Sequence, residues 1–348
     1  MHSYFRLNYL SLLIFISIIS SSCNKDDDKL GVPATYEFTR NGASTVDVSG
    51  QIQRLDMLSQ LGTYMKSANT VGSASLDENL LKDMFRNQNN PFTGQTYTKD
   101  LKSKCFASDT TTFLQFLEEA ALVSQATGTA SNGTAGVLVE GSTDLTKGYR
   151  VTANGLELAQ VVEKGLMGAV FYYQAMEIYL SGDRMGSVGN DDFAAGENYT
   201  DMEHYFDEAF GYFGAPTDFP SSVSIGDSQF WAKYCNTRNE ELYPGINDEI
   251  ATAFRTARAA ITAKDYEARD AAIEVIMEKW AIVSAASAID YLNQALSTSG
   301  TPEYKRHHVM SEAIGFMLAL KYHFNGGNSK FPPHYTYSHI EDALMEVG

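Results

Sequence analysis

The 348-residue sequence has only three cysteines, little positive charge and, after its first twenty residues, no apolar run long enough to cross a membrane. Three cysteines are too few for a disulfide scaffold or a thiolate zinc site. Twenty-six Lys and Arg against 43 Asp and Glu leave a formal net charge of −17. That balance excludes the basic surface that a phosphate backbone requires, so nucleic acid is not an expected partner. Catalytic signatures are missing as well: there is no His-Glu-x-x-His helix, Gly-x-Ser-x-Gly elbow, Walker loop or dinucleotide fingerprint. What is present is a globular composition, 44% apolar, with enough chain to bury a sizeable core.

Met1 to Ser22 carries Arg6, then an apolar stretch too short to span a bilayer, then small residues, the pattern of a secretory signal peptide. Ser20 to Cys23 resembles a bacterial lipobox, in which the Cys is lipidated after cleavage. The acidic run Asn24 to Lys29 resembles the export signal of lipoproteins shown on the outer face of the outer membrane. The expected organisation is a signal peptide at residues 1–22, a lipidated acidic tether at 23–32 and a single helical domain at 33–348. The expected location is the outer membrane, held there by the lipid on Cys23 alone and facing the cell exterior. Cys105 and Cys235 are then left either to pair, in a compartment that permits it, or to remain two buried thiols.

Asn41-Gly42, set between β-branched and aromatic residues, predicts a tight hairpin, and Val137 to Val151 predicts a second one. Ile52, Leu55, Leu58, Leu61 and Met65 recur at helical spacing, and helices are expected from Ser75, from Thr110 and almost throughout after Ala153. The expected fold class is mainly α: a duplicated helical-hairpin, four-helix-bundle-like body with one or two small β-hairpins near the N-terminal half. The duplication rests on two segments. His204 opens HYFDEAFGYF and His308 opens HVMSEAIGFM, each reading His, three residues, Glu, Ala, one residue, Gly and an aromatic. Upstream, VEKGL around Glu163 matches MEKWA around Glu278, which sets the repeat at about residues 153–215 and 268–325.

Residues four apart share a helix face, so His204 with Glu208, and His308 with Glu312, each present an imidazole and a carboxylate in one direction. Two such pairs on facing helices, with Glu163 and Glu278 beside them, make a ligand set for iron or another divalent metal. The same residues also read as packing. A His and a Glu four apart form an ordinary ion pair, and a helical glycine, about 1 kcal/mol worse than alanine, marks a close helix contact at Gly211 and Gly315. A polar or apolar ligand pocket is the third reading.

The run Met202 to Pro216, with Thr45 to Leu55, Asn154 to Gly165 and His307 to Phe316, resembles a Bacteroidetes lipoprotein family catalogued as a domain of unknown function, number 4856. The resemblance covers essentially the whole chain after its leader. That family is similar in style to imelysin-like proteins, which are exported, helical, internally duplicated and associated with iron uptake and outer-membrane receptors. Imelysin-like proteins carry a Gly-x-His-x-x-Glu motif; here Met202 stands for the Gly and Asp207 for the Glu. The resemblance thus implies Asp207 as a further metal ligand, iron as cargo and an outer-membrane receptor or transporter as partner. The expected function is a non-enzymatic surface lipoprotein that binds a nutrient, iron or an iron complex, and works with such a receptor. An exported hydrolase or peptidase with its site between the repeats, and a structural or adhesive protein, are the alternatives.

Overall fold

The computed structural model describes residues 30–140, 144–297, 302–323, 338–340, 342 and 345. The leader, Cys23 and the acidic run lie outside the described residues.

Asn41 and Gly42 have φ of 53° and 80° and turn the chain between β1 (Thr39–Arg40) and β2 (Ala43–Ser44). A two-residue turn of this kind needs left-handed backbone at both positions, which Asn and Gly tolerate best. Helix α1 (Ser49–Lys66) buries Leu55, Leu58, Leu61 and Met65 as their spacing predicts, but Ile52 is 50% exposed, because Gln51 and Arg54 take the inner positions of the first turns. Asp77 caps α2 (Glu78–Arg86), accepting from the amides of Asn79 and Leu80 at 2.8 and 3.2 Å, and α3 (Thr110–Ser124) follows. Strands β3 (Gly136–Glu140) and β4 (Asp144–Val151) pair antiparallel, with Leu138 opposite Tyr149 and Val137 opposite Arg150. Buried Arg150 fastens this hairpin to the body by donating to the carbonyls of Ala68 and Ala126 at 2.6 and 2.5 Å.

Helix α4 (Leu158–Leu166) continues through Met167–Tyr172 and Gln174–Tyr179 in the wider π-helical form. From Leu158 to Tyr179 only Glu163, Tyr173 and Ile178 are less than fully buried, so this rod is the centre of the molecule. Around it lie α5 (Gly182–Met185), α6 (Asp201–Phe213), α7 (Phe230–Glu241), α8 (Ile246–Ala263), α9 (Tyr266–Leu296) and α10 (Glu303–Leu320). The long α9 packs against α8 on one side and α10 on another; α10 lies along α4, and α6 sits among α1, α8 and the π-helical segment. Trp280 anchors the aromatic core, with ring centroids 5.0 Å from Phe213, 5.8 Å from Tyr172 and 6.0 Å from Trp231. The fold is mainly helical with two small antiparallel strand pairs, as the sequence predicts.

Cys105 and Cys235 are both buried and unpaired. Burial pushes the Cys105 thiol up to about 12 and raises that of Cys235 as well, so neither is an activated nucleophile.

The glycines of the two similar segments are close helix contacts. A Cβ on Gly211 would lie 2.9 Å from the Cβ atoms of Val48 and Gln51, and one on Gly315 would lie 2.5 Å from the Cβ of Lys164. Helix α6 therefore rests on the start of α1, and α10 on α4. Gly315→Ala is expected to cost about 1–3 kcal/mol in urea denaturation, the usual effect of forcing an extra carbon into a packed contact. Gly226→Ala, where nothing lies within 4 Å, serves as the neutral control.

Candidate functional site

The expected ligand residues fall in three places. On α6, Asp207 is fully buried, and its Oδ1 accepts from Nε of Arg258 at 2.8 Å and from the Tyr36 hydroxyl at 2.7 Å. Asp207, implied as a metal ligand, is thus the partner of a buried guanidinium. One turn earlier Glu203 forms a capping box with Thr200 and pairs with Arg258 at 3.0 Å and Arg40 at 2.9 Å. Burial works to raise the Glu203 carboxyl, but the two arginines, the Thr200 amide and the Thr262 hydroxyl hold it down to about 2. On the same helix His204 stacks on Tyr199 at 5.0 Å, and Glu208 accepts from the Gln51 amide at 2.8 Å. Glu278 is elsewhere: on α9, 52% exposed and 3.3 Å from Lys279.

Glu163, His308 and Glu312 do come together, where α4 meets α10, but they meet around lysine. Lys66, at the end of α1, pairs with Oε2 of Glu163. The other Glu163 oxygen accepts from Lys164 at 2.7 Å, and the same ammonium reaches Gln160 at 2.6 Å and Glu312 at 3.1 Å. Glu312 lies 3.6 Å from Nε2 of His308, whose Nδ1 is 2.6 Å from the fully buried carboxylate of Glu157. The result is a ladder in which carboxylates alternate with the nitrogens of His308, Lys164 and Lys66. Burial alone would raise the Glu163 carboxyl, yet Lys164 and Lys66 hold it down to about 2. Burial also disfavours the Lys164 ammonium, and Tyr234, Glu163 and Glu312 outweigh it, keeping Lys164 well above the ordinary lysine range.

This geometry decides what the cluster can do chemically. The cation that Glu163 and Glu312 share is an ammonium, and a metal ion in the same space would meet a like charge at contact distance. Among the described residues, no three His, Cys, Asp or Glu side chains converge closely enough to hold a metal ion. His308 stands between two carboxylates rather than between a carboxylate and a hydroxyl or thiol, so the ladder is not the arrangement of a nucleophilic triad.

Three members of the ladder escape a search for His and Glu pairs. Glu157, Gln160 and Lys164 form a polar stripe at helical spacing on an otherwise apolar helix, and that stripe is the signal that would have found Glu157 and Lys164. Lys66 carries no such mark. Beside the ladder an open cleft of about 530 Å³ has two lysines, Lys66 and Lys305, one acid, Glu140, and two tyrosines, Tyr149 and Tyr304, in its lining. Its aromatic wall is continuous: Tyr149 stacks on His308 at 4.1 Å and on Tyr304 at 5.9 Å. The hairpin supplies Tyr149 and α10 supplies Tyr304, so only the fold joins them.

The family model for a domain of unknown function (DUF4856) matches residues 33–347. The chain belongs to that family. No curated protein matches it, and no solved structure does. Membership in DUF4856 brings no activity with it, so the chemistry of this member has to be argued from its own side chains. No helix among its described residues is long and apolar enough to cross a membrane.

The ladder makes a stability prediction for this DUF4856 chain. Lys164→Ala leaves two buried carboxylates without their shared cation and is expected to cost about 3–5 kcal/mol in chemical denaturation. Lys264→Ala removes a pair whose side chains are 50% and 84% exposed, and is expected to leave the denaturation midpoint essentially unchanged.

Proposed function

We propose that the protein is a non-enzymatic lipoprotein of the outer cell surface that captures a nutrient, iron carried in an anionic complex, and hands it to an outer-membrane uptake receptor. The observation that carries the reading is the cleft beside the charge ladder. Lys305 brings positive charge to it beside Lys66, which Glu163 already pairs, with Glu140 the one acid of the lining, and Tyr149 and Tyr304 offer stacked ring faces. Cations and aromatic faces suit a negatively charged chelate, which presents both charge and flat polarisable surface. The lysine already seated between Glu163 and Glu312 favours cargo that arrives with its own ligands over a bare ion.

The ladder gives this cleft a fixed floor. Lys66 is held by Glu163, and Tyr149 is backed by His308, which Glu157 holds in turn. A site whose groups are already oriented loses little freedom when a ligand docks. The leader at residues 1–22, the lipobox-like stretch Ser20 to Cys23 and the acidic run after it support lipid anchoring and display outside the cell.

Ferric citrate is the probe. It is expected to bind the purified protein saturably and to raise its stability by about 2.7 kcal/mol at a hundred times the dissociation constant. Tyr149→Ala and Lys305→Glu are each expected to weaken binding about tenfold, close to 1.4 kcal/mol, with Glu278→Ala unchanged. Undiminished binding by the first two variants, or no saturable binding by the folded protein, removes the reading. For the anchor, Cys23→Ala is expected to abolish metabolic labelling with palmitate and to move the protein from the membrane fraction to the soluble one. Continued labelling would show that another residue carries the lipid.

A further inference from the structure

A second cleft, of about 330 Å³, opens on the other side of Lys66 and Glu163. One wall is a face of α1 that includes Asp56; the other is the start of α7, with Ser228, Phe230 and Lys233. The size is that of a small-molecule pocket rather than a packing defect. Its walls differ in charge, and each carries groups that the fold itself does not satisfy.

On the α7 side, no side chain caps the helix. The amides of Ala232 and Lys233 bond back to the carbonyl of Gln229, which leaves those of Phe230 and Trp231 as the donors the helix cannot pair. Ser228, two residues before the helix, is only 9% exposed, and its hydroxyl is buried with no hydrogen-bond partner. A buried hydroxyl without a partner is costly, and a ligand oxygen in the cleft would relieve it. Lys233 adds an exposed ammonium that enters no ion pair among the described residues. Unpaired amides at the positive end of a helix, a lone buried hydroxyl and a lysine together describe a place for a carboxylate.

The opposite wall has the complementary need. Asp56 enters no ion pair among the described residues, and burial holds its carboxyl above the usual range. Glu163, the other acid of the cleft, is already matched by Lys66 and Lys164. One unmatched acid therefore faces a carboxylate-accepting end. We propose that this cleft binds a small zwitterion, an amino acid or a dipeptide, with its carboxylate on the α7 amides, the Ser228 hydroxyl and Lys233, and its ammonium on Asp56. The inference does not rest on the iron reading: the clefts share Lys66, but the zwitterion is placed on Asp56, Ser228, Lys233 and the α7 amides, none of which lines the first cleft.

Leucine and glycyl-leucine are the test ligands for the full purified chain, read by calorimetry and melting temperature. N-acetyl-leucine lacks the ammonium, leucinamide lacks the carboxylate, and inorganic phosphate is a plain anion. At least one zwitterion is expected to bind, with both single-charge analogues and phosphate at least about tenfold weaker. Lys233→Glu and Asp56→Asn are each expected to weaken zwitterion binding about tenfold, and Glu278→Ala, on the exposed side of α9, to leave it unchanged. Ser228→Ala is expected to weaken binding while leaving the melting temperature equal or higher, the opposite of what loss of a purely structural hydroxyl contact would do. The proposal is overturned if neither zwitterion binds the folded protein at about 10 mM. It is also overturned if N-acetyl-leucine or phosphate binds as well as the zwitterions, or if Asp56→Asn has no effect.

Discussion

The ammonium of Lys164 lies where α1, α4 and α10 meet, touching the carboxylates of Glu163 and Glu312 and the amide of Gln160. Through Glu163 it is coupled to Lys66 on α1, and through Glu312 to His308 and the buried Glu157. A charge this deep persists only while its partners stay in place, because desolvation on its own would strip the proton. The helices cannot slide without unpairing it. Gly315 belongs to the same constraint, since α10 approaches α4 at the Cβ of Lys164 itself. The two clefts then follow as the spaces left on either side of the Lys66–Glu163 pair, one facing the β3–β4 hairpin and the other facing α7.

Much of the architecture was legible in the sequence because it depends on local rules. The Asn41-Gly42 turn, the α1 stripe from Leu55 to Met65 and the helices of the C-terminal half follow from backbone preference and period. Ile52 departs from its stripe because a polar pair, Gln51 and Arg54, is drawn inward by specific partners, Glu208 for one and the carbonyl of Asp100 for the other. Period alone does not register such partners. The π-helical continuation of α4 was not legible either. It shows only as a run, Met167 to Tyr179, that is apolar except at Gln174 and Glu177, as many deeply buried helices are.

The candidate site was legible in part. His308, Glu312 and Glu163, three of the residues that the spacing singled out, lie together where α4 meets α10. Their chemistry turned on a residue of another class: Lys164, adjacent in sequence to Glu163, occupies the space between the acids. The similarity of His204 and Glu208 to His308 and Glu312 reflects a shared way of docking a helix, with Gly211 on α1 and Gly315 on α4. His204 stacks on Tyr199 and Glu208 accepts from Gln51, whereas His308 lies between Glu157 and Glu312, so the same motif meets different surroundings. Tyr149 and Tyr304 come from a hairpin and a helix far apart in the chain, and no spacing rule connects them.

The two tryptophans have a spectroscopic consequence. Trp231 and Trp280 are both fully buried with ring centroids 6.0 Å apart, and the Trp231 indole is tied to the carbonyl of Met167 at 3.0 Å. Tryptophan emission, excited beyond the tyrosine absorption band, therefore reports one locus, the junction of α7 and α9 with the π-helical rod. An emission shift locates a disturbance at that junction, where Trp231 stands three residues along the chain from Ser228.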